Sequence, residues 1–170
     1  MIVLGNNLST AFSGGGGGGG GDASLLNTHV VTLTSAECTA NATSQFIDSK
    51  WVKPAGYMIT DIAVRQPSSG ILTGGGTIST ARIGVGVNGV DTDGYVVADK
   101  DILAVSAGNY VSNLNYGVLF EDQNSSRNTL MAQTTFGILV DTPGAWVSEM
   151  ASGSCEIVFV YLDLTQAEAE

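Results

Sequence analysis

The segment Cys155-Glu-Ile-Val-Phe-Val-Tyr-Leu-Asp-Leu164 alternates along its length without giving either side to water. Ile157, Phe159 and Tyr161 fall on one face of an extended chain, and Val158, Val160 and Leu162 on the other. A strand that is apolar on both faces is central in its sheet or covered by a second layer. This segment therefore demands layered β-structure.

The rest of the chain agrees in period. His29–Thr34 alternates, with Val31 and Leu33 on one side and Val30, Thr32 and Thr34 on the other. Thr34-Ser-Ala-Glu37 has the spacing of a capping box and predicts one or two helical turns through Ala42. Residues 45–56 read as an irregular approach, with Pro54-Ala-Gly56 marking a turn. In Tyr57–Arg65, Met58, Thr60, Ile62 and Val64 share a face opposite Asp61 and Arg65. Gly74-Gly-Gly76 introduces a long strand around Thr77–Val87, where Gly84 and Gly86 leave room for close approach of another layer. Further strands are expected at Tyr95–Ala98, Ile102–Val105, Tyr116–Glu121 and Gln133–Val140, with turns at Asn88-Gly89, Asp93-Gly94 and Asp141-Thr-Pro-Gly144. Short strands between Gly, Pro, Asn and Asp turns predict an all-β fold, a jelly-roll-like β-sandwich.

Eight consecutive glycines, Gly14–Gly21, set the domain limits. Holding eight such residues in one conformation costs roughly 8–16 kcal/mol, and the tract has no side chains to offset that cost. Left free, it spans about 15 Å on average and about 26 Å when stretched. The chain thus divides into an apolar head at residues 1–13, a polyglycine tether at 14–21, a β-sandwich domain at 22–164 and a polar tail at 165–170. The head carries Ile2, Val3, Leu4, Leu8 and Phe12, and reads as an extended N-terminal arm that docks on a partner.

Six Lys and Arg against sixteen Asp and Glu leave a formal charge of −10. That field repels phosphate backbones, so direct nucleic-acid binding is not expected. No apolar run approaches the length of a bilayer-spanning helix, and no membrane insertion is expected. Two cysteines do not form a disulfide framework, and Cys155 reads as a small buried hydrophobe.

Reactive groups do not converge. A single histidine, His29, lacks neighbouring ligands, and neither cysteine has a nucleophile's context. No catalytic residue and no cofactor is expected. Asp91 and Asp93 are close enough in sequence to share a calcium ion, although Gly94 does not stand at the EF-hand position. Trp51 and Trp146 are candidate aromatic platforms for a glycan.

Three segments resemble the small all-β virion accessory proteins of tailed bacteriophages, the decoration or fibre-like proteins of head and tail. They are Val30-Val-Thr-Leu-Thr-Ser-Ala-Glu37, Trp51-Val-Lys-Pro-Ala-Gly-Tyr-Met-Ile-Thr-Asp61 and Gly153-Ser-Cys-Glu-Ile-Val-Phe-Val-Tyr-Leu-Asp-Leu164. The resemblance implies a non-enzymatic structural protein, a homotrimer or other homo-oligomer bound to capsid or tail proteins. Its location would be the virion, assembled in the host cytoplasm. A carbohydrate- or receptor-binding module of a phage appendage is the alternative expectation.

Overall fold

The computed structural model describes residues 26–87, 91–96, 98–111 and 134–164. Ten strands are described: β1 (Leu26–Thr34), β2 (Ser44–Lys53), β3 (Tyr57–Arg65), β4 (Thr73–Gly74), β5 (Arg82–Val87), β6 (Asp91–Val96), β7 (Tyr110–Val111), β8 (Thr134–Asp141), β9 (Met150–Ser152) and β10 (Ser154–Asp163). The fold is all-β. Two four-stranded antiparallel sheets have the orders β1-β10-β3-β7 and β2-β8-β5-β6, and β4 with β9 forms a third, two-stranded sheet. The pairings nest: β1 with β10, β2 with β8, β3 with β7 and β5 with β6. An early strand thus meets a late one, and the chain passes repeatedly from one large sheet to the other.

The core lies between the large sheets. Leu33, Ile62, Val64, Ile157 and Phe159 of the first sheet form one buried cluster with Ile83, Val85, Phe136, Ile138 and Val140 of the second. β10 is a central strand, flanked by β1 and β3. Its Ile157 and Phe159 belong to that core, whereas Val158 and Val160 lie on the opposite face and are also buried. The two faces expected from its alternation are those found.

Several elements depart from expectation. The capping-box segment makes a single 3-10 turn, Ser35–Glu37, and no helix follows it. There the Glu37 carboxylate accepts from the Thr34 N–H at 2.8 Å and from its hydroxyl at 3.0 Å. Residues expected to be irregular form β2, whose alternation is interrupted by a register shift between Asp48 and Val52 and by Lys50 at a φ of 58°. In β3 the phase changes at a bulge: Asp61 pairs with Val160 but Ile59 pairs with Tyr161. Ile59, Ile62 and Val64 therefore share the core, and not Met58 and Thr60 with Ile62.

The long strand expected at Thr77–Val87 is confined to Arg82–Val87. Ile102–Ala104 is a 3-10 turn capped by Asp101, whose carboxylate accepts from the Leu103 N–H. The strand expected at Tyr95–Ala98 is displaced toward the N-terminus, to Asp91–Val96. Met150–Ser152 had no expectation attached to it; Gly153, at a φ of 84° and packed on the Ile71 carbonyl, separates it from β10. The expected strand at 116–121 lies outside the described residues.

Candidate functional site

The outer face of the first sheet is built in rows by strand register. Thr32, Glu156, Arg65 and Tyr110 make one row. Val30, Val158 and Ala63 make the next, followed by Thr28, Val160 and Asp61. Val158 and Val160 are only 8% and 7% exposed, whereas Val30 on the outermost strand is 43% exposed. The centre of this face is thus apolar. One end carries a closed polar group: Arg65 is ion-paired with Glu156, and its guanidinium donates to the Tyr110 hydroxyl at 3.1 Å. Asp61 sits against the valines, and burial pushes its carboxyl above the ordinary value of 3.8, partly offset by the Ile62 N–H.

Strand β1 is also an edge. Among the described residues it pairs on one side only, with β10, over nine consecutive pairs without a register shift. The other edges are broken or short within the described residues. β2 carries the shift at Asp48–Val52 with Lys50 in the left-handed region, β6 pairs irregularly with β5, and β7 covers two residues. Bulges and lysines discourage unwanted strand pairing. β1 has neither, and Leu26–Thr34 contains no Asp, Glu, Lys, Arg or Pro. Sequence reasoning did not single out Thr28, Val30 and Thr32; the missing charges were the available signal.

An aromatic seam joins the two sheets beside this edge. His29 of β1 stacks on Trp51 of β2 at 4.5 Å, and Trp51 in turn meets Phe136, Phe159 and Tyr161. Tyr161 stacks on Tyr57 at 4.8 Å. Burial lowers the pKa of His29, which favours the neutral ring in this seam. Nearby, the Lys53 side chain is fully buried and its ammonium donates to the Tyr57 carbonyl at 2.8 Å. Neighbouring rings thus engage the half-buried Trp51.

Trp146 has the opposite setting. It is 53% exposed, between buried Ala145 and Val147. Its loop is tied to residues 40–43: the Thr142 N–H donates to the Thr43 carbonyl at 2.7 Å, Val147 to Ala42 at 2.8 Å and Ser148 to Ala40 at 3.0 Å. The Ser148 hydroxyl also reaches Asn41 Oδ1 at 2.8 Å. The indole is therefore presented on a braced loop among small neutral polar residues.

The other expected site residues are dispersed. Ile2, Val3, Leu4, Leu8 and Phe12 lie outside the described residues. Asp91 and Asp93 lie in β6, which runs through the turn expected at Asp93-Gly94. Among the described residues no group of three or more His, Cys, Asp or Glu is placed to hold a metal ion. Cys38 and Cys155 are buried free thiols. Burial, with Glu37 nearby, pushes Cys38 up to about 11, and burial also raises Cys155. Both are therefore protonated and weakly nucleophilic at neutral pH. Among the described residues no helix is long and apolar enough to cross a membrane. Comparison with protein-family models, curated proteins and solved structures finds no match.

Proposed function

We propose that this chain is a virion structural protein, a capsid decoration protein that acts by attachment and self-association. The observation that carries this reading is the way the three phage-like segments assemble. Val30–Glu37 and Gly153–Leu164 contribute to the paired strands β1 and β10, and Trp51–Asp61 runs from the end of β2 in the other large sheet into β3, beside β10. β1, β10 and β3 form one strip with an uncharged outermost strand, on which Val30 is exposed. Attachment through such a strip requires surface complementarity and no reacting group. The nested strand pairings favour the jelly-roll form of the sandwich. The apolar head on its glycine tether supplies a second contact, which adds avidity where the tether spans both sites.

Deletion of Met1–Gly21 tests the attachment. The body should keep its thermal transition while occupancy on particles falls, measured by co-sedimentation with decoration-free capsids. Unchanged occupancy would remove the head from the mechanism.

The exposure of Trp146 on its braced loop supports a second reading, a carbohydrate-binding module. An exposed indole face with neighbouring hydroxyls and amides suits the apolar face and hydroxyl rim of a sugar ring. On a glycan array, Trp146→Ala should abolish any signal that the intact protein gives. Retained binding in that variant would dismiss the Trp146 platform.

A further inference from the structure

We propose that Cys38 and Cys155 are a redox-sensitive pair, oxidised by a low-molecular-weight disulfide to an internal cystine that ties the β1–β2 connection to the central strand β10. This goes beyond the attachment reading and does not depend on it.

Both thiols end at the same place in the core. Cys155 stands opposite Leu33 in the β1–β10 ladder, and the next pair is Thr34 with Ser154. The Cys38 thiol turns back to the Thr34 carbonyl at 3.8 Å. The two sulfurs therefore flank adjacent residues at the end of β1. The turn between them is fastened to the start of β10: the Ser35 N–H donates to the Gly153 carbonyl at 3.0 Å, and the Cys38 N–H to the Ser35 carbonyl at 3.1 Å. Cys38 and Cys155 belong to one buried cluster together with Leu33. A negative charge on Cys38 raises the pKa of Cys155 beyond what burial does, as a nearby like charge must. In the proposed bridge Cys38 Sγ exchanges the Thr34 carbonyl for Cys155 Sγ.

With glutathione disulfide as oxidant the step balances in two exchanges. The Cys38 thiolate attacks one sulfur of the oxidant, forming a mixed disulfide and releasing one glutathione thiolate. The Cys155 thiolate then attacks Cys38 Sγ and releases the second. The protein gives up two electrons and two protons, and the oxidant becomes two thiols. Cys38 reacts first for two reasons. Its thiol is pushed up to about 11, whereas fully buried Cys155 is raised further. It also opens the connection to β2, in which Thr39 and Asn41–Thr43 are exposed. Local opening of such a connection admits the oxidant without unfolding the sheets. The bridge closes a loop of more than a hundred residues in the unfolded chain, and long loops gain most from closure. It also holds the passage from one large sheet to the other against β10.

Equilibration of the folded full chain in graded mixtures of glutathione and glutathione disulfide provides the test. Samples are quenched in acid, unfolded, labelled with a maleimide and weighed as intact protein. The reduced chain should take two labels. The oxidised chain should take none, weigh two hydrogens less, and yield a linked Cys38–Cys155 peptide on digestion. It should melt about 5–15 °C higher than the reduced chain, a gain reversed by dithiothreitol. Cys155→Ala should hold one glutathione on Cys38, whereas Cys38→Ala should leave Cys155 unmodified while folded. The melting temperature of Cys38→Ala should not depend on the redox mixture. If either variant misfolds, the linked peptide and the melting shift of the parent chain carry the test.

Two labels at every mixture would overturn the pair. So would glutathione adducts on both cysteines, or cystines that join separate chains, without the internal link. A linked chain that melts no higher than the reduced one would overturn the stabilising tie between the connection and β10.

Discussion

Gly137 shows how one missing side chain fixes a surface. A Cβ there would lie 2.0 Å from the Phe46 ring, which covers the glycine on the outer side of β8. Gly137→Ala should therefore push the ring from its seat and destabilise the protein by about 1–3 kcal/mol, measured by urea denaturation. Adding Phe46→Leu should restore part of that loss, because the shorter side chain leaves room for the methyl group. Asp61 makes a different contribution. Its carboxyl is raised by burial, so the folded state holds the proton more tightly than the unfolded chain. The stability associated with that proton is lost as pH rises from 3.8 through the folded value. Asp61→Asn should melt higher than the parent at pH 7, with the gap closing in acid below the ordinary carboxylate range. A constant gap across pH would assign the effect to packing.

Among the elements, the connections are held by buried polar groups. Fully buried Gln66 donates to the carbonyls of Leu72 and Ile102 at 3.3 and 2.9 Å and accepts from the Leu72 N–H at 3.0 Å. One side chain thus joins the end of β3, the approach to β4 and the turn at Ile102–Ala104. Gln66→Ala strands an N–H and two carbonyls in the interior, each worth about 1–3 kcal/mol when left unmade. A loss of about 3 kcal/mol or more is expected by chemical denaturation, accompanied by faster amide exchange at Leu72. The strands differ in how readily the sequence reveals them. β10 was legible because its alternation is unbroken and both faces are apolar. β2 was obscured by its bulge, which takes Ser49–Trp51 out of step, and by Lys53, whose charged residue type conceals a fully buried position. In β3 a single bulge inverted the expected faces N-terminal to Asp61.

At the scale of the whole molecule, the buried cluster runs from Leu33 to Phe159 and draws on both large sheets. Every described member lies C-terminal to residues 1–21. Their deletion should leave the melting temperature within about 2–4 °C of the parent, the shift that about 1 kcal/mol produces in a domain of this size. A larger fall would show that the head contributes to the body's stability. The uncharged edge and the braced indole lie on parts that long-range pairing brings into position. Sequence by itself determined the all-β class, the identity of the central strand and the net acidity, since each follows from residue type and period-two spacing. Tertiary structure decided which strands became edges, where bulges reversed a face, and that His29 stacks on Trp51 while Trp146 remains exposed. These features depend on pairings such as β1 with β10, between residues more than a hundred positions apart, and no local pattern encodes which partner a strand will meet.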